Sequence, residues 1–192
     1  MGNRNTELSP LYIPPTEVFV TPETREKFRE AADKWADELG DLHTAMKRND
    51  ESKSAGRFGE LVFTEVFGGE IQDDYEYDIE HLDMKVEVKT AIRTVAPKPH
   101  YNANISDYSM GQDCDVYYFM SVLAGDVDEP YSKIWLCGYI TPDEYKEKAT
   151  FHKEGDVDPE SPSGYSFKFK ADCYTLKYRE LKRRDIEGSL EI

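Results

Sequence analysis

Apolar and polar residues alternate strictly from Met84 to Lys89. Met84, Val86 and Val88 share one face of a strand, while Lys85, Glu87 and Lys89 share the other. The preceding stretch, Tyr75 to Glu80, is a second strand candidate, and Glu70 to Gln72 a shorter one. A turn over roughly His81 to Asp83 folds these strands into a hairpin with Asp78 opposite Glu87, both carboxylates on one side of the sheet. Upstream the period changes to that of a helix. Thr21-Pro22-Glu23 supplies a capping hydroxyl, a proline at the first helical position and an acid in the first turn. Phe28, Ala31, Trp35, Leu39, Leu42 and Met46 then recur as a packing stripe, and the charged run Lys47 to Lys53 closes the segment as a solvated loop. A second helix is predicted from about Ser54 to Phe67, with Phe58, Leu61, Val62 and Val66 inward and Gly68-Gly69 as its stop. Gly56 and Gly59 each cost such a helix about 1 kcal/mol relative to alanine, which signals close packing against another element.

Asp115 to Leu123 is a nearly continuous apolar run, as in a strand buried on both faces, and Ser132 to Ile140 is another. Together they form a hairpin in the sheet centre. Thr141-Pro142-Asp143-Glu144 is a capping box that opens a helix running to about Thr150. Phe151 to Gly164 is a polar loop, and Tyr165 to Lys170 alternates as an edge strand. Tyr174 to Arg184 begins as a strand or turn and ends in a basic helix. Between the two hairpins, Pro97 and Pro99 break regular structure, and Tyr101 to Gln112 is only weakly helical. These elements define an α/β fold with a central mixed β-sheet flanked by helices. The chain is one domain: an extended proline-rich arm over 1–20, an N-terminal helix over 21–50, a core over 54–123 and further strands and helices over 124–192.

Composition narrows the picture. Among 192 residues, 24 Lys and Arg stand against 39 Asp and Glu, a net charge of −15 that opposes polyanions at long range. A local basic cleft that also holds divalent cations stays compatible with it. Cys114, Cys137 and Cys173 are far apart and in no C-x-x-C arrangement, so they build neither a zinc knuckle nor a four-cysteine cluster and are expected as buried, reduced thiols. The N-terminal residues lack the apolar core of a signal peptide, and no run of about 18 apolar residues occurs. A soluble, cytoplasmic protein without membrane contact is expected.

Two carboxylates presented by neighbouring strands can share Mg²⁺ or Mn²⁺, which polarises a phosphodiester and activates water. A lysine two residues after one of them points the same way, where it can serve the attacking water and the developing charge. Asp78, Glu87 and Lys89 meet this description. The triplet Glu-x-Lys alone is cheap: Glu51-Ser52-Lys53 falls in the charged loop and Glu144-Tyr145-Lys146 in a helix, where residues two apart diverge. A rival register, Asp83-Met84-Lys85 with Asp74, ranks lower because Asp83 falls in the turn. Arg93, Lys98, His100 and Tyr101, with Tyr108, form the best local candidate for phosphate and base contact, with a solvated loop as the alternative. Lys177, Arg179, Lys182, Arg183 and Arg184 are the densest positive cluster, read as a solvated helix end ahead of a nucleic-acid surface.

Asp78, Glu87-Val88-Lys89, the preceding helix with Gly59-Glu60 and the later buried strand Asp115 to Leu123 resemble the PD-(D/E)xK, or restriction-endonuclease-like, nuclease superfamily. The resemblance covers about Ser54 to Leu123 and is similar in layout to small phage-type members. It implies an αβββαβ core, with Asp78 and Glu87 binding Mg²⁺ or Mn²⁺, Lys89 serving the water and Glu60 adding an outer or second-metal contact. The implied activity is DNA hydrolysis. Tyr77 stands where many members carry proline, and the crossover helix after Thr90 is poorly marked. Two other readings accompany it. One is a catalytically inactive binding protein or acidic DNA mimic, supported by the charge; the other is a Holliday-junction resolvase, which requires a homodimer.

Overall fold

Thr21 caps the first helix as its sequence requires, accepting a hydrogen bond at Oγ1 from the Thr24 amide at 3.4 Å. The computed structural model describes residues 14–39, 50–72, 75–125, 129–159, 167–183 and 190–192. In chain order these contain β1 (Thr16–Phe19), α1 (Pro22–Leu39), α2 (Asp50–Phe67), β2 (Glu70–Ile71), β3 (Ile79–His81), β4 (Met84–Arg93) and β5 (Asn102–Ser106). There follow β6 (Val116–Leu123), β7 (Lys133–Ile140), α3 (Pro142–Lys148), β8 (Thr150–His152), β9 (Cys173–Lys177) and β10 (Leu190–Glu191). Short 3-10 helices span Asp107–Gly111 and Tyr178–Glu180.

Among the described residues, seven strands form a mixed sheet in the order β10-β1-β7-β6-β4-β3-β2, and β5, β9 and β8 form a second sheet. The fold is therefore α/β with a central mixed sheet, as the periodicity predicts. β6 and β7 pair antiparallel near its centre. Their apolar runs are continuous because both faces are covered. Val86, Val88, Met120, Val122 and Ile134 pack with Phe28, Ala32, Phe58, Val62 and Phe63 of α1 and α2 on one face. Tyr117, Phe119, Trp135 and Cys137 pack on the other with Ala103, Ile105 and Leu176 of the small sheet and Tyr145 of α3.

α2 reaches β4 closely at one point. A Cβ added to Gly59 would overlap Thr90 Oγ1 and lie 3.1 Å from Thr90 Cβ, so the glycine expected to mark close packing does so. Gly56, by contrast, has nothing within 4 Å of a built Cβ. Gly59→Ala should gain up to about 1 kcal/mol of helix propensity. It should lose about 1–3 kcal/mol to overpacking. The expected net loss in chemical denaturation shrinks in a Thr90→Ala background, which removes the Thr90 Oγ1 and Cγ2 that the new methyl meets but keeps the Cβ at 3.1 Å.

Several predicted features move. The arm over 1–20 carries β1, which pairs with β7 and β10 and buries Val18 and Val20 completely; residues 1–13 lie outside the described part. The buried face of α1 is Phe28, Ala32 and Ala36, with Ala31 exposed. Leu42 and Met46 lie outside the described residues. The charged run is helical from Asp50, four residues earlier than predicted, so Glu51-Ser52-Lys53 lies in the first turns of α2 with Lys53 buried. Instead of the crossover helix that the resemblance implies, β5 and the Asp107–Gly111 3-10 helix join β4 to its parallel neighbour β6. Of the predicted edge strand 165–170, the described part makes one isolated bridge, Lys168 with Val157. The basic segment after β9 is a 3-10 turn and not an α-helix up to Arg183, with Arg184 outside the described residues. Its cations are used internally. Lys177 donates to Asn102 Oδ1 at 2.7 Å, Lys182 to Glu144 Oε2 at 2.7 Å, and Arg183 to the Cys137 and Tyr178 carbonyls at 2.9 Å.

Candidate functional site

The β3–β4 hairpin sets the site. Ile79 pairs with Val86, Glu80 with Lys85 and His81 with Met84, so the register carried one step further brings Asp78 opposite Glu87. Leu82 and Asp83 make the turn, both at positive φ (50° and 60°). That places Asp83 in the turn, as expected, and Lys85 is engaged elsewhere, donating to Asp113 Oδ2 at 2.6 Å. Asp74 of the rival register lies outside the described residues. The Asp78 amide donates to the Val86 carbonyl at 3.1 Å, and Asp78 Oδ2 accepts from the Val88 amide at 2.7 Å. The carboxylate thus continues the ladder where the β3 backbone ends.

Glu87 is 5% exposed. Its Oε1 pairs with Lys89 Nζ, and its Oε2 is buried with no hydrogen-bond partner. An ionised oxygen in that position carries a desolvation cost that a cation offsets. Lys89 Nζ also donates to Gln112 Oε1 at 3.2 Å, while Gln112 Nε2 donates to the Tyr75 carbonyl at 2.7 Å. Gln112 therefore ties the site lysine to the loop before β3. Sequence reasoning missed it because the contact spans 23 residues and a lone glutamine in an irregular segment carries no local signal.

Glu60 is buried on α2, its Oε2 accepting from Arg57 Nη1 at 2.8 Å. Arg57 in turn lies over the Trp35 ring, 5.1 Å from its centroid. Asp78 is half-buried by exposed area, yet its carboxyl group is deep enough for burial to be the largest cause raising its pKa well above the ordinary value. Glu60 and Glu87 add to the rise, whereas Lys89 and the Val88 amide oppose it. Three acids and one lysine therefore share a poorly solvated region. Cys114 is half-buried beside them, and burial, with Glu87 adding to it, pushes its thiol up to about 12, so it is no thiolate nucleophile.

Among the described residues, no three His, Cys, Asp or Glu side chains are grouped as a ready-made metal cage. The donor set for a cation is the pair Asp78 and Glu87. It fits Mg²⁺ or Mn²⁺ chemically: both are hard oxygen donors, Mg²⁺ typically keeps several waters beside one or two carboxylates, and Glu87 Oε2 is an uncommitted buried acceptor.

The raised pKa of Asp78 has a stability consequence. Its folded form holds a proton that the unfolded chain has released, so this contribution favours folding at low pH and is lost as pH rises from the ordinary value of 3.8 through the raised one. In chelator, the thermal midpoint of Asp78→Asn is therefore expected to exceed that of the wild type by a margin that grows toward neutral pH. Midpoints measured across pH for both proteins check this; a constant margin would contradict it.

Arg93, Lys98, His100 and Tyr101 gather at the far end of β4. Arg93 lies 5.0 Å from the Tyr101 ring centroid and donates to the Asn102 carbonyl, and His100 packs edge-on to Tyr101 at 5.1 Å. Lys98 and His100 are exposed. Arg93 is four residues beyond Lys89 on the same strand face, about 13 Å along the strand, so it does not join the carboxylates, and Lys98, His100 and Tyr101 follow after β4 has ended. No helix among the described residues is long and apolar enough to cross a membrane.

The fold and site together define an α/β protein with a hairpin-borne carboxylate–lysine cluster. Compared with known proteins, the chain matches no family model and no curated protein sequence.

Proposed function

We propose that the protein is a metal-dependent nuclease that hydrolyses DNA phosphodiester bonds. The observation that carries this reading is Glu87: one oxygen engages Lys89, the other is buried without a hydrogen-bond partner, and the residue faces Asp78 across the hairpin. Asp78 and Glu87 are the residues that would hold Mg²⁺ or Mn²⁺. When bound, the ion supplies Lewis-acid polarisation of the phosphoryl group and stabilises the leaving oxygen. Lys89, fixed between Glu87 and Gln112, orients the water that attacks phosphorus and stabilises the added negative charge. The bond from water oxygen to phosphorus forms as the ester P–O bond breaks; the attacking water gives up a proton to solvent water, and the departing oxygen takes one up from solvent. Glu60 adds negative charge near Asp78, an outer contact for the ion, and the Arg57 that it pairs with on the same helix rests over Trp35 of α1.

The test is incubation of the purified chain with linear, circular and single-stranded DNA in Mg²⁺ or Mn²⁺, with and without chelator. Cleavage that chelator abolishes is expected. If every substrate stays intact in both metals, the reading fails.

A second reading, a non-enzymatic protein that occupies another protein's DNA site, is favoured by the charge of −15 and by the acids on the rim. Glu76 accepts from the Asp113 amide at 2.8 Å, and Asp113 holds Lys85. That reading predicts no divalent ion bound through Asp78 and Glu87, which calorimetry decides.

A further inference from the structure

Two exposed tyrosines stand beside the site, and neither the carboxylates nor the lysine requires them. Tyr75 precedes Asp78 in the loop leading to β3, and Tyr108 lies on the Asp107–Gly111 3-10 helix. They are 43% and 56% exposed, among the larger apolar surfaces left open in the described residues. Their ring centroids are 5.4 Å apart at 67°, and the Tyr75 hydroxyl donates to the Tyr108 carbonyl at 3.4 Å. The pair is held in place relative to Lys89, because Gln112 bonds to the Tyr75 carbonyl with one end and to Lys89 Nζ with the other. The 3-10 helix is itself fixed by Ser106, whose hydroxyl accepts from the Ser109 amide at 3.2 Å.

The charges around this pair matter for the kind of nucleic acid it suits. Of the two cations four residues from the site lysine on its strand face, Lys85 is committed to Asp113 and Arg93 lies against Tyr101 and the Asn102 carbonyl at the far end of β4, while Glu76 and Asp107 lie on the flanking segments. A duplex laid here would bring phosphates of two strands against an acidic rim with little free positive charge to release counterions. A single strand needs one phosphate at Lys89 and can draw its affinity from bases stacked on tyrosine.

Resting on the nuclease reading, we propose that Tyr75 and Tyr108 form a stacking platform for an unpaired base next to the scissile phosphate, making single-stranded DNA the preferred substrate. A face of the ring pair takes the base, and Gln112 sets the distance between base and lysine. Stacking is tolerant of sequence because every base has a π-face, so the platform selects strandedness and not sequence.

The experiment compares a single-stranded oligonucleotide with a hairpin duplex of the same length. Binding is measured by fluorescence anisotropy in Ca²⁺, and cleavage in Mg²⁺ or Mn²⁺, for the wild type, Tyr108→Ala, Tyr108→Phe and Tyr75→Ala, with circular dichroism to verify folding. The wild type should bind the single strand at least about tenfold more tightly than the duplex. Tyr108→Ala should lose about tenfold in single-strand affinity, Tyr108→Phe should stay close to wild type, and duplex affinity should not change. Cleavage of DNA with no strand preference and no effect of Tyr108→Ala overturns the platform and leaves the nuclease reading standing. Single-strand binding lost in Tyr108→Ala, without hydrolysis in either metal, supports the platform and overturns the nuclease reading. Neither binding nor cleavage overturns both.

Discussion

Lys89→Ala is expected to lower DNA hydrolysis by about a hundred- to ten-thousandfold, the range supplied by a positioned side chain that handles the reacting water. The loss should fall on kcat more than on KM, since Lys89 acts where charge develops and not on remote parts of the substrate. The same change removes the cation paired with buried Glu87 and leaves both carboxylate oxygens poorly compensated. Stability in chelator should therefore fall as well. The double variant Glu87→Gln/Lys89→Ala separates the two effects, because it removes the stranded charge: stability recovers and activity does not. Steady-state kinetics beside chemical denaturation of the three proteins checks this. An active Lys89→Ala enzyme would remove the lysine from the chemistry.

The second large effect lies in the core that carries the site. Phe58 is fully buried on α2, 6.1 Å from the Phe28 ring centroid and 5.1 Å from that of Tyr131. Truncation to alanine should cost about 3–5 kcal/mol through lost transfer energy and the cavity left behind. Because Phe58 precedes Gly59 and Glu60, the loss also loosens the helix that sets Glu60 behind Asp78. Urea denaturation measures it, and a cost below about 1 kcal/mol would mean that α2 is anchored by other contacts.

Local patterns revealed much of this architecture. The 3.6-residue period of α2, the alternation of β4 and the capping box of α3 each fix an element through its own residues. In α3 both reciprocal cap bonds are present, with Thr141 Oγ1 accepting from the Glu144 amide and Glu144 accepting from the Thr141 amide. The hairpin register was legible because a two-residue turn at Leu82-Asp83 leaves one pairing that buries Ile79, Val86 and Val88 together.

What local pattern missed depends on distant partners. β1 is four residues long between prolines and a helix start, and it becomes a strand only because β7 and β10 offer pairing edges. β5 contains Asn102, Asn104 and Ser106, poor strand formers, and is held by its antiparallel ladder with β9, more than 65 residues away. The basic cluster at Lys177 to Arg183 reads in sequence as a solvated helix end ahead of a nucleic-acid surface, because the oxygens that engage it come from β5, β7 and α3. Gln112 was invisible for the same reason, and so was the coupling of Lys89 to Tyr75.

In the proposed nuclease, Asp78 and Glu87 share a divalent cation beside Lys89. Anomalous diffraction from crystals soaked in Mn²⁺ tests it most directly. A manganese peak between the Asp78 and Glu87 carboxylates is expected, absent in Glu87→Gln crystals soaked alike. A well-ordered hairpin with no manganese between those two carboxylates would contradict it.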